Sequence, residues 1–165
     1  MQTAGKLLRL AERGSFSKIV SEVGRTGAVV GEIGPGGMEL AALGLAVGRA
    51  SEVSYEVTAE VEGLLCCLER AWEERARGAS ASTLGLVVRG VASLVELCER
   101  CGASGEVSRR AGRLLDAACA GVERVRADRG VERASVGSRV RTMGAGGERA
   151  LRAWERSRRA GSRAA

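Results

Sequence analysis

The chain contains no histidine and no asparagine, one glutamine (Gln2), and two lysines (Lys6 and Lys18) beside 24 arginines. Without histidine, proton transfer near neutral pH would fall to a perturbed Glu, Asp, Cys, Lys or Tyr. A metal site would likewise have to be assembled without an imidazole ligand. The four scarce types share a feature of their codons, which begin with A or C followed by A. Gly, Ala, Val, Glu and Arg are plentiful. A G-rich coding strand explains part of this pattern, so arginine in place of lysine is not by itself a mark of selection.

Aromatics number four: Phe16, Tyr55, Trp72 and Trp154. The core must therefore be built from Leu, Val and Ala. One proline, Pro35, leaves most of the chain free of that helix breaker. The 24 glycines oppose helix formation, at roughly 1 kcal/mol each against alanine in a helix interior. The longest uncharged run, Gly78 to Val88, spans eleven residues, about half of what a bilayer crossing needs. Charges interrupt the first 25 residues, so a secretory signal is not expected. Lys6, Arg9, Arg13, Lys18 and Arg25 around Leu7, Leu8 and Leu10 faintly suggest an organelle presequence, against which Glu12 and Glu22 argue. The expected location is cytoplasmic or nuclear, with organelle import open and secretion not expected.

What is present is apolar content of 45%, enough for one domain with a real core in 165 residues. Apolar spacing is helical nearly everywhere. A helix over about 3–13 should stop at Gly14. A second starts at Phe16 and extends towards Ile33, ending in a turn at Gly34-Pro35-Gly36-Gly37. A third runs from Met38 to Arg77, with a possible break near Gly48–Ser51 and Ser51 as cap. The fourth covers about 82–101, and the fifth about 105–129 with Ser104 as cap. The expected fold is all-α: an up-and-down bundle of about five helices over 1–128, followed by an Arg-rich helical extension over 129–165.

Charge is unevenly distributed. Residues 1–100 hold 11 basic and 13 acidic residues, and residues 101–165 hold 15 basic and 7 acidic. Within the basic end, Arg149, Arg152, Arg156, Arg159 and Arg163 recur at alternating steps of three and four. On a helix they would occupy one face, with Leu151 and Trp154 opposite. Arg126, Arg129 and Arg133 repeat the spacing upstream. A ladder of one sign repels itself unless it faces an anion. Three readings stay open: contact with a nucleic-acid backbone or acidic protein surface, a solvated face, or pairing with an acidic row at Glu52, Glu56 and Glu60. Few aromatics adjoin the ladder, so nucleic-acid contact would be backbone-driven and poorly sequence-selective.

Other motifs point less far. Gly27–Gly31 and Gly44–Gly48 flank the expected turn and together describe a glycine-faced hairpin over 27–48. Such small-residue pairs occur in membrane helices, but also where two helices of a water-soluble bundle pack closely. Cys98-Glu-Arg-Cys101 has the spacing of half a thiolate metal site, and Cys66-Cys67 could complete it. The CxxC pair nevertheless falls at the C-terminal end of a helix, where the dipole disfavours thiolates. Neither GxxxxGK[ST] nor GxGxxG occurs. The expectation is a non-enzymatic interaction or structural protein with no catalytic residue, cofactor or metal. The alternatives are a membrane-active protein using the 27–48 hairpin and a scaffold subunit that forms homo- or hetero-oligomers.

Overall fold

A computed structural model describes residues 2–24, 30–103 and 105–128. These residues form six α-helices and one 3₁₀ turn, with no strand among them. The all-α class expected from the sequence is what the structure has.

The two N-terminal helices are short. Helix α1 (Gln2–Glu12) buries Ala4, Leu7 and Ala11, three residues at helical spacing. It ends where Gly14 takes a left-handed conformation (φ 65°). The Ser15 and Gly14 amides then bond to the Leu10 and Ala11 carbonyls, satisfying acceptors that a helix end leaves bare. Helix α2 (Phe16–Val23) buries Ile19 and Val20 and stops at Gly24, again left-handed at φ 70°.

Helix α3 (Val30–Val53) departs from the sequence expectation. It runs for 24 residues straight through Gly34-Pro35-Gly36-Gly37, so the turn is absent and the 27–48 hairpin does not form. Gly31, Gly44 and Gly48 lie on one helix. The compensation for an interior proline, a local cost of about 3 kcal/mol, is tertiary. Ile33 is buried with Ala41 and Leu86, and Gly37 seats directly on the Thr83 side chain.

The chain does break later than expected, at residues 54–58. Ser51 is no cap; it is buried within α3, and its hydroxyl donates to the Val47 carbonyl at 2.8 Å. The cap of helix α4 (Ala59–Arg75) is Thr58, whose side chain accepts from the Val61 amide. Helix α4 buries Val61, Leu64, Leu65, Leu68 and Ala71, which recur at helical spacing. A 3₁₀ turn (Ala76–Gly78) leads to helix α5 (Ala81–Arg100), which Ser80 caps by accepting from the Thr83 amide. Gly102 (φ 66°) ends it, with the Ala103 amide bonded to the Cys98 carbonyl at 2.9 Å. Helix α6 (Glu106–Asp128) closes the described chain and buries Ala111, Leu114, Leu115 and Ala118.

The main core is a cluster of mostly aliphatic side chains drawn from all six helices, with Ile33, Ala41 and Leu86 forming a small second cluster. Helix α3 packs against α5 along most of its length and also meets α1, α2 and α4. Helix α5 lies between α3 and α6, while α4 and α6 touch only at their margins. By length and composition α5 could cross a membrane, but two thirds of its apolar window is buried inside the protein. Its interior leucines are fully enclosed, and truncating one such as Leu94 to alanine should cost about 2–5 kcal/mol.

Candidate anion-binding surface and the polar clusters of the body

Helix α6 carries the one ladder residue among the described part of the chain. Arg126 is only 6% exposed, so it belongs to the packed interior and not to a solvent-facing basic strip. Its helical spacing to Arg129 and Arg133 did not reveal this, because Val122 and Val125 put the same side of α6 against the core. Arg129, Arg133, Arg149, Arg152, Arg156, Arg159 and Arg163 lie outside the described residues, as does Ser104.

The acidic row that might have received the ladder is not a row. Glu52 sits in the last turn of α3 and pairs with Arg49 at 3.6 Å. Glu56 lies in the connection, and Glu60 in the first turn of α4. Spacing of four residues aligns side chains only along an unbroken helix, and the helix breaks between them. The Glu60 carboxyl is held below the usual range, mostly by a bond to its own backbone amide and by the Thr58 hydroxyl.

The five cysteines are all free thiols. Cys98 and Cys119 are buried; burial raises Cys98 to about 11 and Cys119 to about 12. Burial also raises the Cys67 thiol. Cys101 is exposed at the end of α5, where its thiol donates to the Cys98 carbonyl at 3.7 Å. Among the described residues no three His, Cys, Asp or Glu side chains converge as a ligand set, so the two cysteine pairs do not join into one site.

Cross-helix polar contacts that no linear spacing announced tie the body together. Arg110 of α6 forms a two-pronged pair with Glu69 of α4, through Nε at 3.1 Å and Nη2 at 2.5 Å. The same Nη2 donates to the Cys66 sulfur at 2.9 Å. Glu69 and the Cys66 sulfur keep the guanidinium firmly protonated, its affinity for the proton raised. An open groove of about 470 Å³ runs beside this cluster between α4 and α6, with Trp72 and Leu114 in its wall. Arg75 pairs with Glu39 between α4 and α3. Arg100, at the end of α5, donates to the Ser54 carbonyl at 2.7 Å and the Ser51 carbonyl at 3.4 Å. These partners are 36 to 49 residues apart, and only the packing of the helices brings them together.

The glycine spacing read from the sequence has a packing role in this fold. Gly44 and Gly48 of α3 meet Gly90 of α5, and added Cβ atoms there would reach backbone within about 3 Å. The partner helix is α5, not the other arm of a hairpin. A small cleft of about 60 Å³, lined by Arg49, Arg89 and Ser93, opens beside the crossing.

No family model, curated protein or solved structure matches this chain.

Proposed function

We propose that this is a non-enzymatic interaction protein whose helical body, residues 1–128, carries an Arg-rich extension, residues 129–165, to an anionic partner. In this reading the body is an up-and-down bundle and the extension a basic helix. The preferred partner is a nucleic-acid backbone, bound without sequence selectivity. One observation carries the reading. The extension holds ten arginines against three glutamates, while the body holds 16 basic and 17 acidic residues. The last 37 residues therefore carry a net +7 and the body a net −1, which together make the chain's +6. Segments of this kind bind phosphate by releasing condensed counterions.

Two structural facts support an external partner over an internal one. Glu52, Glu56 and Glu60 sit on three different parts of the chain, so they do not line a single helix face that could receive the ladder. Several acidic side chains of the body, including Glu39 and Glu69, already pair with arginines of the body. The contact set then comprises Arg129, Arg133, Arg149, Arg152, Arg156, Arg159 and Arg163, without Arg126.

The test is binding of the full chain to duplex DNA and to single-stranded RNA across a salt series. Log affinity should fall linearly with log salt, by about 0.9 per duplex phosphate contacted. Replacing Arg149, Arg152, Arg156, Arg159 and Arg163 together with glutamine should remove most of the affinity and most of the slope. Binding that ignores salt, or survives the five substitutions, rejects the proposal. A scaffold subunit would instead show a discrete oligomer by light scattering and no salt-dependent nucleic-acid binding.

A further inference from the structure

We propose that the groove between α4 and α6 seats the chain's own residues 148–163 by the side that bears Leu151 and Trp154, leaving the five-arginine ladder facing outward. The inference shares the basic helix with the proposed function and assumes nothing about what that helix binds.

Helices α4 and α6 touch only at their margins, and an open groove of about 470 Å³ separates them. Its wall joins the apolar Trp72, Leu114 and Ala117 to the carboxylates of Glu69, Glu73 and Glu106. A trough between two helices of a bundle is where a further amphipathic helix packs, with its apolar anchors inward. The carboxylates are not equally satisfied. Glu69 pairs with Arg110, and Glu106 with Arg109 and Arg113. Glu73, exposed on the groove wall, enters none of the ion pairs among the described residues.

Residues 148–163 match that lining in chemistry and in reach. Read as a helix, they put Leu151, Trp154 and Arg158 at steps of three and four on the side away from the ladder. Two apolar anchors answer the apolar wall, and Arg158 brings the cation that Glu73 lacks. Helix α6 ends at Asp128, about 21 Å from Leu114 at 1.5 Å per residue. Between Asp128 and Glu148 lie 19 residues, whose span as a coil would be about 24 Å. A tether whose span matches the gap gives its cargo the highest local concentration, an advantage that a separate partner does not have. Alone in water a 16-residue helix with one like-charged face is marginal. Seated in the groove, it would hold its arginines in register.

Hydrogen–deuterium exchange of the full chain, read by peptide mass spectrometry, tests the seat. Amides of 148–163 should exchange at least about tenfold more slowly than a coil. Trp154→Ala lies outside the helical body and should remove most of that protection, although alanine favours a helix more than tryptophan does. Ala117→Arg should do the same from the groove side, with the protection of α5 unchanged. Replacing the five ladder arginines with glutamine should leave the protection in place, because they face outward. Coil-like exchange in the unsubstituted chain overturns the proposal, whatever the chain's affinity for nucleic acid. Protection that survives Trp154→Ala, or that is lost with the five glutamines, overturns it as well. Protection that grows with protein concentration assigns the groove to a second copy's segment and overturns the tethered seat. Full protection without salt-dependent nucleic-acid binding supports the seat and rejects the proposed function alone.

Discussion

Gly90 of α5 lies so close to Gly44 of α3 that a Cβ built on Gly90 would overlap the Gly44 carbonyl. The obstacle is backbone, which cannot rotate aside as a flexible side chain can. Gly90→Ala should therefore destabilise the protein by about 3 kcal/mol or more, at the upper end of overpacking costs. Gly78→Ala meets open space and should stay within about 1 kcal/mol of the original, on the stabilising side. Urea denaturation of the two variants measures the contrast, and equal midpoints would contradict the close crossing.

Ser80 supplies the cap of α5, its hydroxyl accepting from the Thr83 amide at 3.2 Å. Ser80→Ala leaves that amide without its partner at the start of the most buried helix. The expected loss is about 1 kcal/mol, and Ser80→Asp should recover most of it, since a carboxylate also favours the positive end of the helix dipole. Thermal denaturation of the pair gives the comparison.

Arg100 binds the carbonyls of Ser51 and Ser54, where α3 runs out of intrahelical donors. Its charge also opposes the dipole at that end. Because the contact is partly open to water, Arg100→Gln should cost only about 1 kcal/mol, with Arg100→Lys retaining part of it. Amide exchange should then speed up in the last turn of α3 before it does in α1. Loss confined to α5 would show that the tie to α3 contributes nothing.

Alkaline pH should weaken the fold through two thiols. Burial raises Cys98 to about 11 and Cys119 to about 12, from an ordinary value near 9, with Cys101 adding to the first and the Asp116 and Glu123 carboxylates to the second. Between those limits the folded chain keeps protons that the unfolded chain has released, so stability falls as pH rises. The contribution is intact below about pH 9 and is lost progressively towards pH 11 and 12. Cys119→Ala should flatten that alkaline decline while lowering stability at neutral pH, which urea midpoints against pH would show. An unchanged slope would mean that Cys119 ionises no differently in the folded chain.

Local patterns carried much of this fold. The stop of α1 at Gly14 and the spans of α5 and α6 were legible because each depends on neighbours three to five residues away. The error at Gly34–Gly37 has the opposite origin. Every local rule ends a helix there, and what sustains α3 is the seat of Ile33 and Gly37 against Leu86 and Thr83, some 50 residues on. The break at 54–58 was placed too early for a related reason: Ser51 resembles a cap in sequence, but its hydroxyl turns back to Val47. The cluster of Cys66, Glu69 and Arg110 had no readable signature, since nothing in the order of residues places position 110 opposite 66. Arg126 shows the limit of charge periodicity, which fixes the side of a helix but not whether that side meets water.

The crossing of α3 and α5 also bears on how the gene behind this chain can drift. Most glycines here are compatible with a coding strand that simply favours G, and Gly78 and Gly105 have open space around them. At Gly44, Gly48 and Gly90 the base composition and the fold ask for the same codons. A lineage shifting towards a less G-rich strand could exchange arginine for lysine at exposed positions and alanine for glycine at open ones. Those three codons would have to stay, leaving a fixed set of landmarks by which a much-diverged copy of this helix pair could still be recognised.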